Sequence, residues 1–136
     1  MLRTAVIGVG SLGRQHARIH AALAAEGLSQ FVAVCDLNEE TARSVSSERE
    51  TDWTTDWREL IGRIDAASVA VPTETHCEIA CGLLEAGIHV LVEKPISRTL
   101  EEADRMIRCR KGQCGASSRA PRALQSGDGC VATARA

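Results

Sequence analysis

The sequence predicts an α/β fold built on a doubly wound parallel sheet, and three observations carry that expectation. Short apolar, β-branched runs alternate with segments of helical period through residues 1–111, the alternation that joins parallel strands through helical crossovers. A glycine-rich turn, Gly8-Val9-Gly10-Ser11-Leu12-Gly13, separates the first apolar run from the first helical segment. An acid, Asp36, closes the second apolar run. With 136 residues there is room for one such domain and one core.

Each element has its own signal. Thr4–Val9 (TAVIGV) is short, β-rich and apolar throughout, as a strand buried on both faces requires. From Leu12 the period becomes helical, with Leu12, His16, Ile19, His20 and Leu23 on one predicted face and Gly27 as the stop. Phe31–Cys35 (FVAVC) is the second strand. Asn38–Glu48 is polar and Glu-rich, an exposed helix. Asp56 can cap a short helix carrying Trp57, Leu60 and Ile61. Ala66–Val71 (AASVAV) is a further strand, stopped by Pro72. His76–Ala86 is helical and ends at Gly87, and Ile88–Val92 is the next strand. Thr99-Leu100-Glu101-Glu102 reads as a capping box opening a helix through Arg110, with hydroxyl and carboxylate satisfying N–H groups reciprocally.

The glycine turn predicts a dinucleotide site. G-x-G-x-x-G alone is weak, but here it follows a strand, opens a helix and precedes Asp36, 23 positions after Gly13 and near the usual spacing of about 20. Gly8 permits the tight turn, Gly10 lets a pyrophosphate approach the backbone, and Gly13 lets helix and strand pack closely. Free N–H groups at the helix start, on Ser11, Leu12 and Gly13, and the helix dipole then hold the phosphates. The Asp36 carboxylate can accept both adenosine ribose hydroxyls and would repel a 2′-phosphate, so NAD is preferred to NADP.

A second cluster lies at strand ends, where open α/β sheets bind ligands. Val71-Pro72-Thr73-Glu74-Thr75-His76 ends one strand and Glu93-Lys94-Pro95 the next. A Lys held beside an apolar strand end can contact a substrate hydroxyl. GVGSLGRQHA, the strand-end Asp36, VAVPTETH, and HVLVEKPIS followed by TLEEADRMI resemble the Gfo/Idh/MocA oxidoreductases over about residues 2–110. That resemblance implies a Rossmann-type domain of an NAD(P)-dependent dehydrogenase acting on a hydroxyl of a sugar, inositol or nucleotide sugar, with a nucleotide sugar the first choice. It assigns Gly8, Gly10, Gly13 and Asp36 to NAD. It places Pro72, Thr73 and His76 along the cofactor cleft and Glu93 near the nicotinamide ribose. Lys94 becomes the catalytic contact to the reacting hydroxyl, and Pro95 shapes the turn. Relatives of this kind are expected to form homo-oligomers, which is not expected of this segment alone. The alternative is a stand-alone NAD-binding module that senses redox state or binds a partner. NADH binding without turnover of UDP-sugars fits both; turnover recovered on restoring an alternate reading frame after this segment would decide for the enzyme.

Composition excludes other classes. The formal charge is -2, from 16 basic and 18 acidic side chains, which argues against a nucleic-acid surface or a membrane-attracting face. The aromatic residues are Phe31, Trp53 and Trp57, too few for stacking platforms. The first apolar run is short, is interrupted by Gly8 and Gly10 and lacks a cleavage site, so no secretory signal or membrane span is expected. The six Cys miss the usual zinc spacings, and no metal site is predicted. Reduced structural thiols in a cytoplasmic protein are the expectation.

Residues 112–136 differ in character. They hold three Arg and one Asp, with Leu124 and Val131 the only large aliphatics, and cannot bury enough surface to offset their ordering entropy. The expected division is therefore a nucleotide domain over 1–111, followed by a disordered or frameshifted tail in place of a second, substrate-binding α+β domain. A frameshift has a specific signal. Codons chosen for residues 119–129 and read one base later give GHLERFNPAM, similar to the strand-end run the resemblance expects next. As a truncated segment, the chain is expected to be inactive by itself.

Overall fold

The computed structural model describes residues 1–112, 123–124 and 131–134. It divides into two compact units, Met1–Val71 and Pro72–Ala136.

The first unit is a parallel four-stranded sheet with its helical crossovers. Its elements are β1 (Arg3–Ile7), α1 (Ser11–Ala25), β2 (Gln30–Cys35), α2 (Glu39–Arg49), β3 (Asp52–Thr54), a 3₁₀ turn at Trp57–Leu60, and β4 (Ala66–Val69). β1 lies between β2 and β4, and β3 flanks β2, every pairing being parallel. Val6, Val9, Ala17, Val34 and Val45 form one buried cluster, with Phe31 packed against it. Asn38 caps α2 by accepting the Thr41 N–H, and Asp56 caps the 3₁₀ turn through the Arg58 N–H. Arg3 donates its backbone N–H and its guanidinium to Asp65, tying the start of β1 to the approach to β4. Those bonds to Arg3 hold the Asp65 carboxyl down at about 2.

The expected burial of α1 is corrected. Leu12, Ile19 and Leu23 are exposed, while Gly13 and Ala17 are buried. The face turned to the sheet is the one with small side chains, because the helix approaches the β1 turn too closely for large ones. β3 is an addition: its three residues are too few to show a period, and Trp53 lies over the edge under the Arg43 guanidinium, 5.8 Å from the ring centre.

His20 sits on the same side of α1 in a closed polar chain. Nδ1 is 2.9 Å from Thr4 Oγ1, and Nε2 is 2.9 Å from Ser68 Oγ. Thr4 donates its own hydroxyl proton to the Gln30 carbonyl, so it accepts from Nδ1–H. Nε2 is then the acceptor for the Ser68 hydroxyl. Phe31 stacks on the ring at 5.5 Å.

The second unit contains a 3₁₀ turn at Thr73–Thr75, α3 (His76–Glu85), β5 (His89–Val92), α4 (Leu100–Arg110), β6 (Ala123–Leu124) and β7 (Val131–Ala134). α3 and α4 pack together. β7 pairs antiparallel with β5 and with β6. These two short strands fall inside the segment expected to be disordered or frameshifted; residues 113–122, 125–130 and 135–136 lie outside the described residues. The capping box at α4 is half realised. Thr99 Oγ1 accepts the Glu102 N–H, but the Glu102 carboxylate turns to the N–H and guanidinium of Arg98 instead of the Thr99 N–H. The ion pair with Arg98 wins that competition.

Among the described cysteines, Cys35, Cys77 and Cys81 are free and buried. Burial pushes both the Cys35 and Cys81 thiols up to about 12, so they stay protonated and inert. Cys109 is buried as well. No helix among the described residues is long and apolar enough to cross a membrane.

Burial, and next the neighbouring His16, lower the basicity of His20 from its ordinary value of 6.5. The unfolded chain therefore takes up this proton at higher pH than the folded one, and stability falls as pH drops below that value. Thermal melts should show Tm decreasing from about pH 7.5 to about pH 5.5. His20→Leu should cost about 1–3 kcal/mol at the higher pH, through the stranded Ser68 hydroxyl, and should flatten the pH dependence.

Candidate functional site

The predicted nucleotide turn is assembled within the first unit. Gly8 has φ +86, and a Cβ there would stand 2.7 Å from the Ala70 carbonyl oxygen and 2.8 Å from a Val71 methyl. Only glycine meets both demands. A Cβ on Gly13 would lie 1.7 Å from the Gly8 carbonyl oxygen, so the first turn of α1 rests directly on the glycine turn. Gly10 differs from both: a Cβ there would meet nothing within 4 Å. Its lack of a side chain answers no packing need of the chain itself and leaves open space over exposed backbone.

Gly10 is also the N-cap of α1, and no side chain caps that helix start. No acid occupies its first turn. Ser11 and Leu12 are exposed there, and Gly13 is buried beneath them. A 15-residue helix thus presents uncapped N–H groups and its positive dipole end beside the open Gly10 position. Asp36 stands past the end of β2, half-buried. Its Oδ2 accepts the Val9 N–H at 3.0 Å and its Oδ1 the Asn38 N–H at 2.9 Å. An anion-binding turn, an unobstructed backbone and a fixed carboxylate fit the pyrophosphate and ribose of a dinucleotide.

The second cluster is organised within the second unit. Pro72 is exposed and Thr73 half-buried, in the turn that leads to α3. Thr75 Oγ1 donates to the Pro72 carbonyl at 2.8 Å and holds that turn. Glu93 is half-buried and Lys94 is exposed, just past the end of β5. The Lys94–Pro95 peptide bond is cis.

His76, expected along a cofactor cleft, is instead 2% exposed. Its Nδ1 lies 3.1 Å from the Pro95 carbonyl oxygen and 3.3 Å from that of Ile96. Both partners only accept, so Nδ1 carries the proton. The ring therefore braces the Glu93–Pro95 turn from behind. The pattern alone could not distinguish a wall from a brace, since both call for a polar side chain at a helix start. No three His, Cys, Asp or Glu side chains among the described residues converge as a metal site would require.

Comparison with known proteins gives a consistent picture. The Gfo/Idh/MocA family, described as an oxidoreductase family with an NAD-binding Rossmann fold, matches residues 2–115. UDP-N-acetylglucosamine 3-dehydrogenase of Acidithiobacillus ferrooxidans is 42% identical over 106 residues, covering 78% of this chain and 32% of that protein. A solved structure of that enzyme superposes with a TM-score of 0.75, covering 82% of this chain and 36% of its own. Levoglucosan dehydrogenase of Pseudarthrobacter phenanthrenivorans is 34% identical over 116 residues, covering 77% of this chain and 29% of that protein. The chain spans about a third of the length of the curated relatives it matches.

The glycines separate by their surroundings, and stability measurements should show it. Gly13→Ala is expected to cost about 3 kcal/mol or more, because backbone must move. Gly10→Ala, at a φ of -71 that alanine adopts freely, should change stability by less than about 1 kcal/mol. Equal losses at the two positions would contradict this assignment.

Proposed function

The chain belongs to the Gfo/Idh/MocA oxidoreductase family, and from that premise we propose that residues 1–111 are the NAD-binding domain of a dehydrogenase that oxidises a hydroxyl of a nucleotide sugar. The observation that carries this reading is the open Gly10 position beside the uncapped start of α1, with Asp36 fixed next to it. Ser11, Leu12 and Gly13 offer N–H groups to the pyrophosphate, Gly8 and Gly13 set the turn, and Gly10 admits the phosphates. Asp36 takes the adenosine ribose hydroxyls. Its charge disfavours a 2′-phosphate, which supports NAD as the cofactor in preference to NADP.

Bound NAD supplies the hydride acceptor, and the chain supplies binding and orientation. Pro72 and Thr73 line the cofactor side of their turn, and Glu93 takes the nicotinamide ribose. Lys94 is exposed and free to reach a substrate; it orients and polarises the reacting hydroxyl. His76 acts one step back, holding the turn that presents Lys94. The 42% identity to a UDP-N-acetylglucosamine 3-dehydrogenase supports a UDP-sugar as the substrate.

The family match stops at residue 115, close to where the sequence changes character. This supports a domain boundary at residue 111 and a shifted reading frame beyond it. The coding DNA tests the point. An alternate frame that continues into a β-rich domain agrees with it, and immediate stop codons refute it.

Fluorescence titration of this chain should give saturable NADH binding, with NADPH weaker by about tenfold or more. Gly10→Ala should weaken NADH by at least about tenfold while leaving the fold intact. The activity is tested by a chimera in which residues 1–111 replace the nucleotide domain of the Acidithiobacillus relative. Reduction of NAD dependent on UDP-N-acetylglucosamine is expected, and Lys94→Ala should lower its kcat by about a hundredfold or more. Turnover unaffected by that change would remove Lys94 from the mechanism.

A further inference from the structure

Asp36 is already engaged before any ligand arrives, and its engagement is with the glycine turn. The Val9 amide, between Gly8 and Gly10, donates to Oδ2 at 3.0 Å. The preceding amide, of Gly8, donates to the Cys35 carbonyl at 2.7 Å. Two successive N–H groups of the turn are thus bound to the end of β2, one on a carbonyl and one on a carboxylate. A charged acceptor makes the stronger bond. The Val9 side chain is fully buried in the core cluster, so this residue is held from both sides. Gly10, the next residue, has no side chain to pack, and its carbonyl accepts the Arg14 N–H of α1 at 2.9 Å. Its backbone position is set by α1 on one side and by Val9, with what anchors it, on the other.

The bonding capacity of the carboxylate is divided. Its two oxygens offer about four lone-pair sites. The amides of Val9 and Asn38 occupy one on each oxygen. One remains on each, matching the two hydroxyls of a ribose.

We infer that Asp36 is a positioning residue for the phosphate-binding turn as well as the ribose acceptor, so that cofactor preference and grip on the pyrophosphate are coupled through one carboxylate. This rests on the NAD reading above. Removing the carboxylate to admit a 2′-phosphate also releases Val9 and loosens the turn. Asn at this position drops the charge and keeps one oxygen for the Val9 amide, giving up the bond from the Asn38 N–H.

The test uses ADP and 2′,3′-dideoxy-ADP, which keeps the diphosphate but has no ribose hydroxyls for Asp36 to bind. Asp36→Ala should weaken dideoxy-ADP by about tenfold and speed Val9 amide hydrogen exchange in the ligand-free chain by at least about tenfold. Asp36→Asn should hold both within about threefold of the parent. If Asp36 served the ribose alone, Asp36→Ala would bind dideoxy-ADP equally or more tightly, since a negative charge near the phosphates is gone; that result, or unchanged Val9 exchange, overturns the inference. A parent chain that binds neither NADH nor ADP would instead refute the cofactor reading, and the Val9 exchange comparison would then decide the anchoring role by itself.

Discussion

The close approach of α1 to the glycine turn is the constraint on which the first unit depends. A single carbon on Gly13 would overlap the Gly8 carbonyl oxygen at 1.7 Å. From that contact follows the face α1 turns to the sheet. Only small residues fit near the contact, so Gly13 and Ala17 are buried and the larger apolar side chains of the helix are left outside. It also fixes where the helix begins, and so where its unpaired N–H groups lie relative to Gly10. One turn farther along, where the helix stands off enough to admit a ring, His20 fills the space and bonds to Thr4 and Ser68.

The same constraint explains what could be read from the residues and what could not. The β runs, the glycine turn, the caps at Asp56 and Thr99, and the strand-end Asp36 are local signals, and local chemistry decides them. The buried face of α1 is not local. Leu12, Ile19 and Leu23 form a sound helical stripe, yet the sheet selects a face by distance rather than by hydropathy. The pair Gly13 and Ala17, one helical turn apart, was the available signal for that face. Glu102 shows a second limit: the capping-box pattern specifies a carboxylate at the right position but does not say that Arg98 will compete for it. β3 was missed because three residues at a sheet edge carry no period of their own.

In the second unit, motif and geometry divide the work differently. Pro72–His76 and Glu93–Pro95 read as two separate strand-end segments in the sequence. The structure joins them through His76, whose ring spans from the start of α3 to the carbonyls of Pro95 and Ile96. A residue that looked like part of a ligand wall is an internal brace, and the exposed Lys94 is presented by a turn held from within. The packing accounts for how that turn is held.

Packing preforms the nucleotide turn, and the proposed function places NAD in the open space at Gly10. Amide chemical-shift mapping of the chain during an NADH titration tests it most directly. Saturable shifts are expected at Val9, Gly10, Ser11, Leu12 and Gly13 and near Asp36, with the core residues Val6, Ala17, Val34 and Val45 little changed. Saturable binding whose shifts leave the turn untouched, or that requires the core to rearrange, would contradict it.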